Sequence, residues 1–177
     1  LNLAAVVSYL VKRLPADAIV SNGAGNYTVW VHRFFRYKRF RTELAPTSGA
    51  MGYGFPAAIA AKLRHPDRIS VCFAGDGCFL MYPQELATAL QHNAAVIVLV
   101  VNNGMYGTIR MHQERRFPGR VSATDLKTPD FVALARSFGA YGEKVESTEA
   151  FAEAFERAIE SRKPALLELC TDRHQIT

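Results

Sequence analysis

Ile69-Ser70-Val71-Cys72-Phe73-Ala74-Gly75-Asp76-Gly77 and Val96-Ile97-Val98-Leu99-Val100-Val101-Asn102-Asn103-Gly104 are the two stretches that decide the fold. Each is an apolar run that stops at a polar residue beside a glycine. Runs that are apolar without alternation read as parallel strands covered on both faces. Residues 83–91 lie between them, with Leu86, Ala89 and Leu90 at helical spacing. Asp76 and Asn103 are 27 residues apart. That is the length of one strand–helix–strand step, which sets the two strand ends side by side. A charged and a neutral side-chain oxygen then meet at one edge of a sheet, an arrangement suited to a hard divalent cation such as Mg²⁺. Gly77 and the helix start after it offer backbone N–H groups to an anion. The rival reading makes Asp76 a turn former and Asn102-Asn103-Gly104 an ordinary turn.

Outward from this pair, the pattern alternates between strand and helix. Helices are expected at 4–14, 27–35, 57–63 (opened by Pro56), 83–91, 106–113, 128–138 and from 149 on. Strands are expected at 18–21, 69–74, 94–101, 141–145 and 165–169. Thr128-Pro129-Asp130 reads as a helix start with Thr128 as cap, and Gly139 as its stop. Phe131, Leu134, Ala135 and Phe138 form that helix's apolar stripe, and Ser147 or Thr148 caps the last helix. The alternation implies a three-layer α/β/α fold with a mainly parallel central sheet. The polar strand exits at 21–26, 75–77 and 102–104 gather at its carboxyl edge, where such sheets bind ligands. Gly49, Gly52 and Gly54 let the chain turn tightly and approach a ligand closely.

Composition narrows the class. The 177 residues, 49% of them hydrophobic, suit one domain with a sizeable core. Cys72, Cys78 and Cys170 show no disulfide spacing; Cys72 and Cys170 read as buried apolar residues of a reducing, cytoplasmic setting. No apolar run reaches the ~18 residues of a membrane span. Much of the net charge of +5 lies in His32–Arg41, where five Arg or Lys residues alternate with four aromatics. Interleaving of this kind can line a nucleic-acid groove, but a helix end or subunit interface with aromatics inward accounts for it better. His32, His65, His92 and His174 have no ligand-like spacing.

Gly75-Asp76-Gly77 followed by Asn102-Asn103 resembles the motif of thiamine-diphosphate-dependent enzymes. The likeness extends through Ser48–Ala58, Gln84–Ala89 and Asn103–Arg110, and covers residues 15–170. The chain is similar to the carboxyl-terminal diphosphate-binding domain of the acetolactate synthase, pyruvate oxidase and benzoylformate decarboxylase branch. The resemblance implies thiamine diphosphate and Mg²⁺ as cofactors and a 2-keto acid as substrate, which is decarboxylated and its acyl or aldehyde unit transferred or released. A simple 2-keto acid decarboxylase is the alternative. A non-catalytic regulatory or nucleic-acid-binding domain on the same fold is the alternative of another class.

By position, the resemblance gives Asp76, Asn103 and the Met105 carbonyl to Mg²⁺. It gives Gly25, Asn26, Gly77 and Cys78 to the cofactor's diphosphate, and counts Gly75 and Tyr106 among the cofactor-binding residues. Gly49 and Met51 hold its aminopyrimidine, with Met51 wedged beneath it. Cys78 stands where a hydroxyl residue is common. Tyr106, Thr108, Ile109, His112 and Gln113 are substrate-side candidates, with no certain catalytic residue in this chain. His112 reads either as an acid–base group or as a surface histidine. Arg110, Arg115, Arg116 and Arg120 read as solvent-facing or as binders of an acidic substrate group. Acetolactate synthases tend to carry a Trp a few residues after this glycine, and the segment after Gly107 departs from that pattern, which weighs against a strict synthase. The activating glutamate belongs to a pyrimidine-binding domain of a partner subunit, in a homodimer or homotetramer. That domain and the middle domain, which holds FAD in some members, are absent from residues 1–177. The start at Leu1 without Met is read as favouring a piece of a longer enzyme, inactive alone.

Overall fold

The computed structural model describes residues 1–175. Six parallel strands form one sheet: β1 (Ile19–Asn22), β2 (Glu43–Leu44), β3 (Ser70–Gly75), β4 (Val96–Asn102), β5 (Tyr141–Val145) and β6 (Ala165–Cys170). Their spatial order is β2-β1-β3-β4-β6-β5. The chain runs outward from β1 to β2, then crosses back to place β3 on β1's other side. The strand order therefore reverses between β1 and β3, which opens a crevice at their carboxyl ends. The central strands β3 and β4 are buried along their length apart from Asn102, as their unbroken apolar runs require.

Helices α1 (Leu3–Arg13), α2 (Thr28–Phe34), α3 (Gly54–Arg64), α4 (Asp76–Phe79), α5 (Glu85–Gln91), α6 (Gly107–Arg116), α7 (Phe131–Phe138) and α8 (Phe151–Glu160) complete the described chain. α3, α5 and α7 pack together on one face. The rings of Phe55, Phe79 and Phe131 pack in series there. On the other face α1 meets α2 and α8. Tyr9 of α1 packs edge-on against Phe151 and Phe155 of α8.

Several local expectations need correction. The cap of α7 is Asp130, whose carboxylate accepts the Ala133 N–H at 2.8 Å, rather than Thr128. Gly139 ends that helix at φ +96°, as expected, but Phe138 is exposed rather than part of the stripe. Pro56 is the third residue of α3, since the first turn already begins at Gly54. β2 was not anticipated: two residues, one of them exposed Glu43, carry no periodic signal. Cys170 is half-buried. In the basic-aromatic segment, Phe35 and Tyr37 turn inward while Phe40 remains 85% exposed. Lys38 donates to the carbonyls of Val11 and Leu14 at the end of α1, capping that helix electrostatically. Among the described residues no helix is long and apolar enough to cross a membrane.

Two bidentate pairs tie elements together. Arg13 grips Glu156 at 2.5 and 2.8 Å, and Arg157 grips Glu143 at 2.6 and 3.2 Å. The guanidinium in each pair holds its carboxyl below the usual range. A depressed folded-state pKa gives stability that is present above the unfolded value, about 4.3, and is lost as pH falls through the folded one. Glu143→Gln should therefore lower the melting temperature at pH 7, and the drop should shrink as pH falls below the usual carboxylate range. Thermal melts of both proteins from pH 7 to pH 3 check this; an equal drop at both ends would show that the pair contributes no charge-dependent stability.

Candidate functional site

The crevice between β1 and β3 is a cleft of about 250 Å³. Its floor is made by strand exits. Asp76 is the first residue of α4, directly after β3, so the strand's direction and the helix start together fix its carboxylate. The side chain is 3% exposed. Its Oδ1 accepts the N–H of Gly77 at 2.7 Å, and its Oδ2 accepts the N–H of Gly104 at 2.8 Å. Burial pushes this carboxyl above the usual carboxylate range, against the opposing pull of the N–H groups of Gly77, Gly104, Met105 and Asn103. No Lys, Arg or His among the described residues forms an ion pair with it.

Asn103 follows β4, which pairs in register with β3. Its Oδ1 accepts the Met105 N–H at 3.2 Å. The loop turns at Gly104, φ +67°, a left-handed conformation suited to glycine. A strap over residues 124–126 holds the loop from outside. Tyr106 N–H donates to the Thr124 carbonyl, Leu126 N–H donates to the Gly104 carbonyl, and Met105 bridges Asp125. This strap falls in a stretch expected only as loop and helix approach; its pairing partner lies about 20 residues away, beyond the reach of local pattern.

The cleft brings together Gly25, Asn26, Gly49, Met51, Gly75, Asp76, Gly77, Cys78, Asn103, Met105 and Tyr106, and also Thr108 and Ile109 at the start of α6. His112 and Gln113 do not line it. His112 is exposed. Gln113 instead staples the following loop: its Nε2 donates to the Ser122 carbonyl and its Oε1 accepts the Ser122 N–H. Arg110 is drawn away by Glu114 at 3.0 Å and Asp125 at 3.8 Å. Met51 is half-buried against the core. Cys78 is 4% exposed, and its thiol donates to the Ala24 carbonyl at 2.8 Å, bracing the β1 exit. Sequence reasoning overlooked Trp30, Thr171 and Gln175, which also line the cleft. Trp30 sits one helical turn beyond the β1 exit and stacks on Phe34, a position that becomes visible only once α2 is placed over the crevice.

Among the described residues no group of three or more His, Cys, Asp or Glu side chains could hold a metal by itself. Asp76, the Asn103 amide and a backbone carbonyl could supply only part of an oxygen shell. This matches a hard cation that takes its remaining oxygens from water and phosphate, and not a self-sufficient zinc or calcium cage.

Over residues 23–169 the chain matches the family described as "Thiamine pyrophosphate enzyme, C-terminal TPP binding domain". It belongs to that family. It is 37% identical over 161 residues to an acetolactate synthase large subunit of Parasynechococcus marenigrum, covering 90% of this chain and 26% of that one. It is 31% identical over 169 residues to the acetolactate synthase isozyme 2 large subunit of Escherichia coli, covering 94% and 31%. In structure it resembles a thiamine diphosphate-dependent 4-hydroxybenzoylformate decarboxylase of Rhodococcus jostii with a TM-score of 0.90 at 30% identity, covering 97% of this chain and 33% of that one. The chain thus spans less than a third of the length of the curated relatives it matches.

Proposed function

We propose that this domain anchors the diphosphate end of thiamine diphosphate through Mg²⁺, as part of an acetolactate-synthase-like enzyme acting on a 2-keto acid. One observation carries the reading: Asp76 is the sole formally charged side chain among the described residues that line the cleft, and it is an acid. An anionic diphosphate beside a buried carboxylate, with no Lys, Arg or His on the wall, is repelled unless a divalent cation stands between them. Asp76, Asn103 and the Met105 carbonyl would hold that cation. The N–H groups around Gly77 and the β1 exit at Gly25 and Asn26 would face the phosphates. Met51 and Gly49 would support the aminopyrimidine.

Bound thiamine diphosphate supplies a nucleophilic carbon and an electron sink for decarboxylation. This chain's share is to hold the phosphates, orient the cofactor against Met51 and exclude water beneath it. Thr108, Ile109 and Tyr106 form the chain's contribution to the substrate side. Proton transfer to the cofactor is assigned to a pyrimidine-binding domain of a partner subunit, in a dimer or tetramer, with FAD restricted to a middle domain where one holds it. Residues 1–177 form a single domain in this reading.

Calorimetric titration of the full-length enzyme with thiamine diphosphate tests the reading. Binding is expected with Mg²⁺ and is expected to weaken at least about 100-fold in EDTA, as for a metal that carries the phosphate contacts. Equal affinity with and without the metal would overturn it. Product analysis with a panel of 2-keto acids then separates acyl transfer from simple decarboxylation.

A further inference from the structure

Glu168 is a carboxylate on an otherwise apolar strand, 6% exposed. It forms no ion pair among the described residues, and Lys144, its registered neighbour on β5, pairs with Glu146 instead. Its Oε1 accepts the Nδ2–H of Asn102 at 2.7 Å. Asn102 is the last residue of β4, beside the metal loop, and both ends of its amide and its backbone carbonyl are engaged. Nδ2 also donates to Thr128 Oγ1 at 3.3 Å, and its carbonyl accepts from Thr171 N at 3.0 Å and Thr171 Oγ1 at 3.2 Å. Its Oδ1 accepts the Gly104 N–H at 3.1 Å, the same N–H that donates to Asp76 Oδ2.

We propose that Glu168 is a positioning residue for the metal loop: it fixes the sense of the Asn102 amide, so that Oδ1 rather than Nδ2 faces Gly104. An amide has an oxygen end and a donor end, and the partner at one end dictates what the other presents. With Glu168 accepting, Nδ2 points to β6 and Oδ1 must point to the loop. Were the amide reversed, two donors would confront each other at Gly104, beside Asp76. The loop's left-handed turn would then shift Asn103 and the Met105 carbonyl together. Glu168 thus acts on the site from the neighbouring strand, without touching cation or cofactor. The inference rests on the Mg²⁺ reading of Asn103 and Met105.

The test uses the full-length enzyme with Glu168→Gln and Glu168→Met. Gln can still offer an oxygen to Asn102 Nδ2; Met fills similar volume and cannot. Mg²⁺ is titrated calorimetrically at saturating thiamine diphosphate, and hydrogen exchange of residues 100–106 is followed without metal or cofactor. Glu168→Met is expected to weaken Mg²⁺ binding about 10-fold or more, as loss of an outer support does, and to speed exchange in 100–106. Exchange in 96–99 should stay unchanged, and Glu168→Gln should stay close to wild type on both readouts. Asn102→Leu should reproduce the Met phenotype, with no further loss when the two are combined. Wild-type behaviour of Glu168→Met, equal damage by Gln and Met, or additive losses would each overturn the proposal. Should wild type bind no Mg²⁺ or cofactor, the cofactor reading fails on its own, and the exchange of 100–106 still decides whether Glu168 braces the loop.

Discussion

Asp76→Asn is expected to weaken Mg²⁺-dependent thiamine diphosphate binding by at least about 100-fold, beyond the 10–100-fold typical of residues that only support a ligand. Two effects combine. The substitution removes the charge that would draw the cation into a wall with no other charged side chain among the described residues. It also places an amide donor against a backbone donor, because Gly77 and Gly104 both donate to this side chain, and an amide can accept from only one of them with its oxygen. The fold should survive. Burial already pushes the Asp76 carboxyl above its usual range, so the ionised group costs the metal-free fold free energy that neutral Asn does not. Calorimetry with cofactor and Mg²⁺, alongside a thermal melt without them, reads both halves. Near-wild-type affinity would remove Asp76 from the cation shell.

Gly54→Ala should have the largest effect on stability. A Cβ at this position lies 2.7 Å from the Asn22 carbonyl carbon and 2.7 Å from the Gly23 nitrogen, both backbone atoms at the exit of β1. Neither can rotate away, and the Ser21 hydroxyl already donates to the Gly54 carbonyl at 2.8 Å, which locks the approach. Overpacking of this kind costs about 3 kcal/mol, roughly a 6–12 °C fall in melting temperature for a chain of this size. Relief by displacement would move Gly25 and Asn26, so cofactor affinity should fall with stability. Gly49→Ala is the control: φ +66° makes it mildly strained, yet nothing lies within 4 Å of its added methyl, so a cost of only about 1 kcal/mol is expected. Equal melts for the two variants would show that the contact at Gly54 is relieved elsewhere.

The parallel core was legible because β3 and β4 carry continuous apolar runs, and their register places Asp76 and Asn103 where the sequence interval implied. The glycines of the cleft were legible for a related reason: close backbone approach leaves glycine few substitutes. What escaped depends on partners far along the chain. β2 is recognisable only through its pairing with β1. The strap at 124–126 is defined by the loop it clasps, and Asn102 looked like an ordinary turn residue until β6 supplied Glu168. His112 and Gln113 lie close in sequence to the Asn103–Met105 loop, but α6 carries them past the cleft. Helix geometry rotates successive residues by about 100°, so nearness in sequence does not keep them facing one site.

The strand order also sets a timetable for assembly. β5 pairs with β6 and, among the described residues, with no other strand, while β6 inserts between β4 and β5. During synthesis β5 emerges with no strand to pair with, and β4 keeps one bare edge until residues 165–170 arrive. Unpaired edges of this sort invite intermolecular pairing. Chaperone demand and aggregation should therefore peak in nascent chains stalled between residues 145 and 165, and ease once the last strand closes the gap.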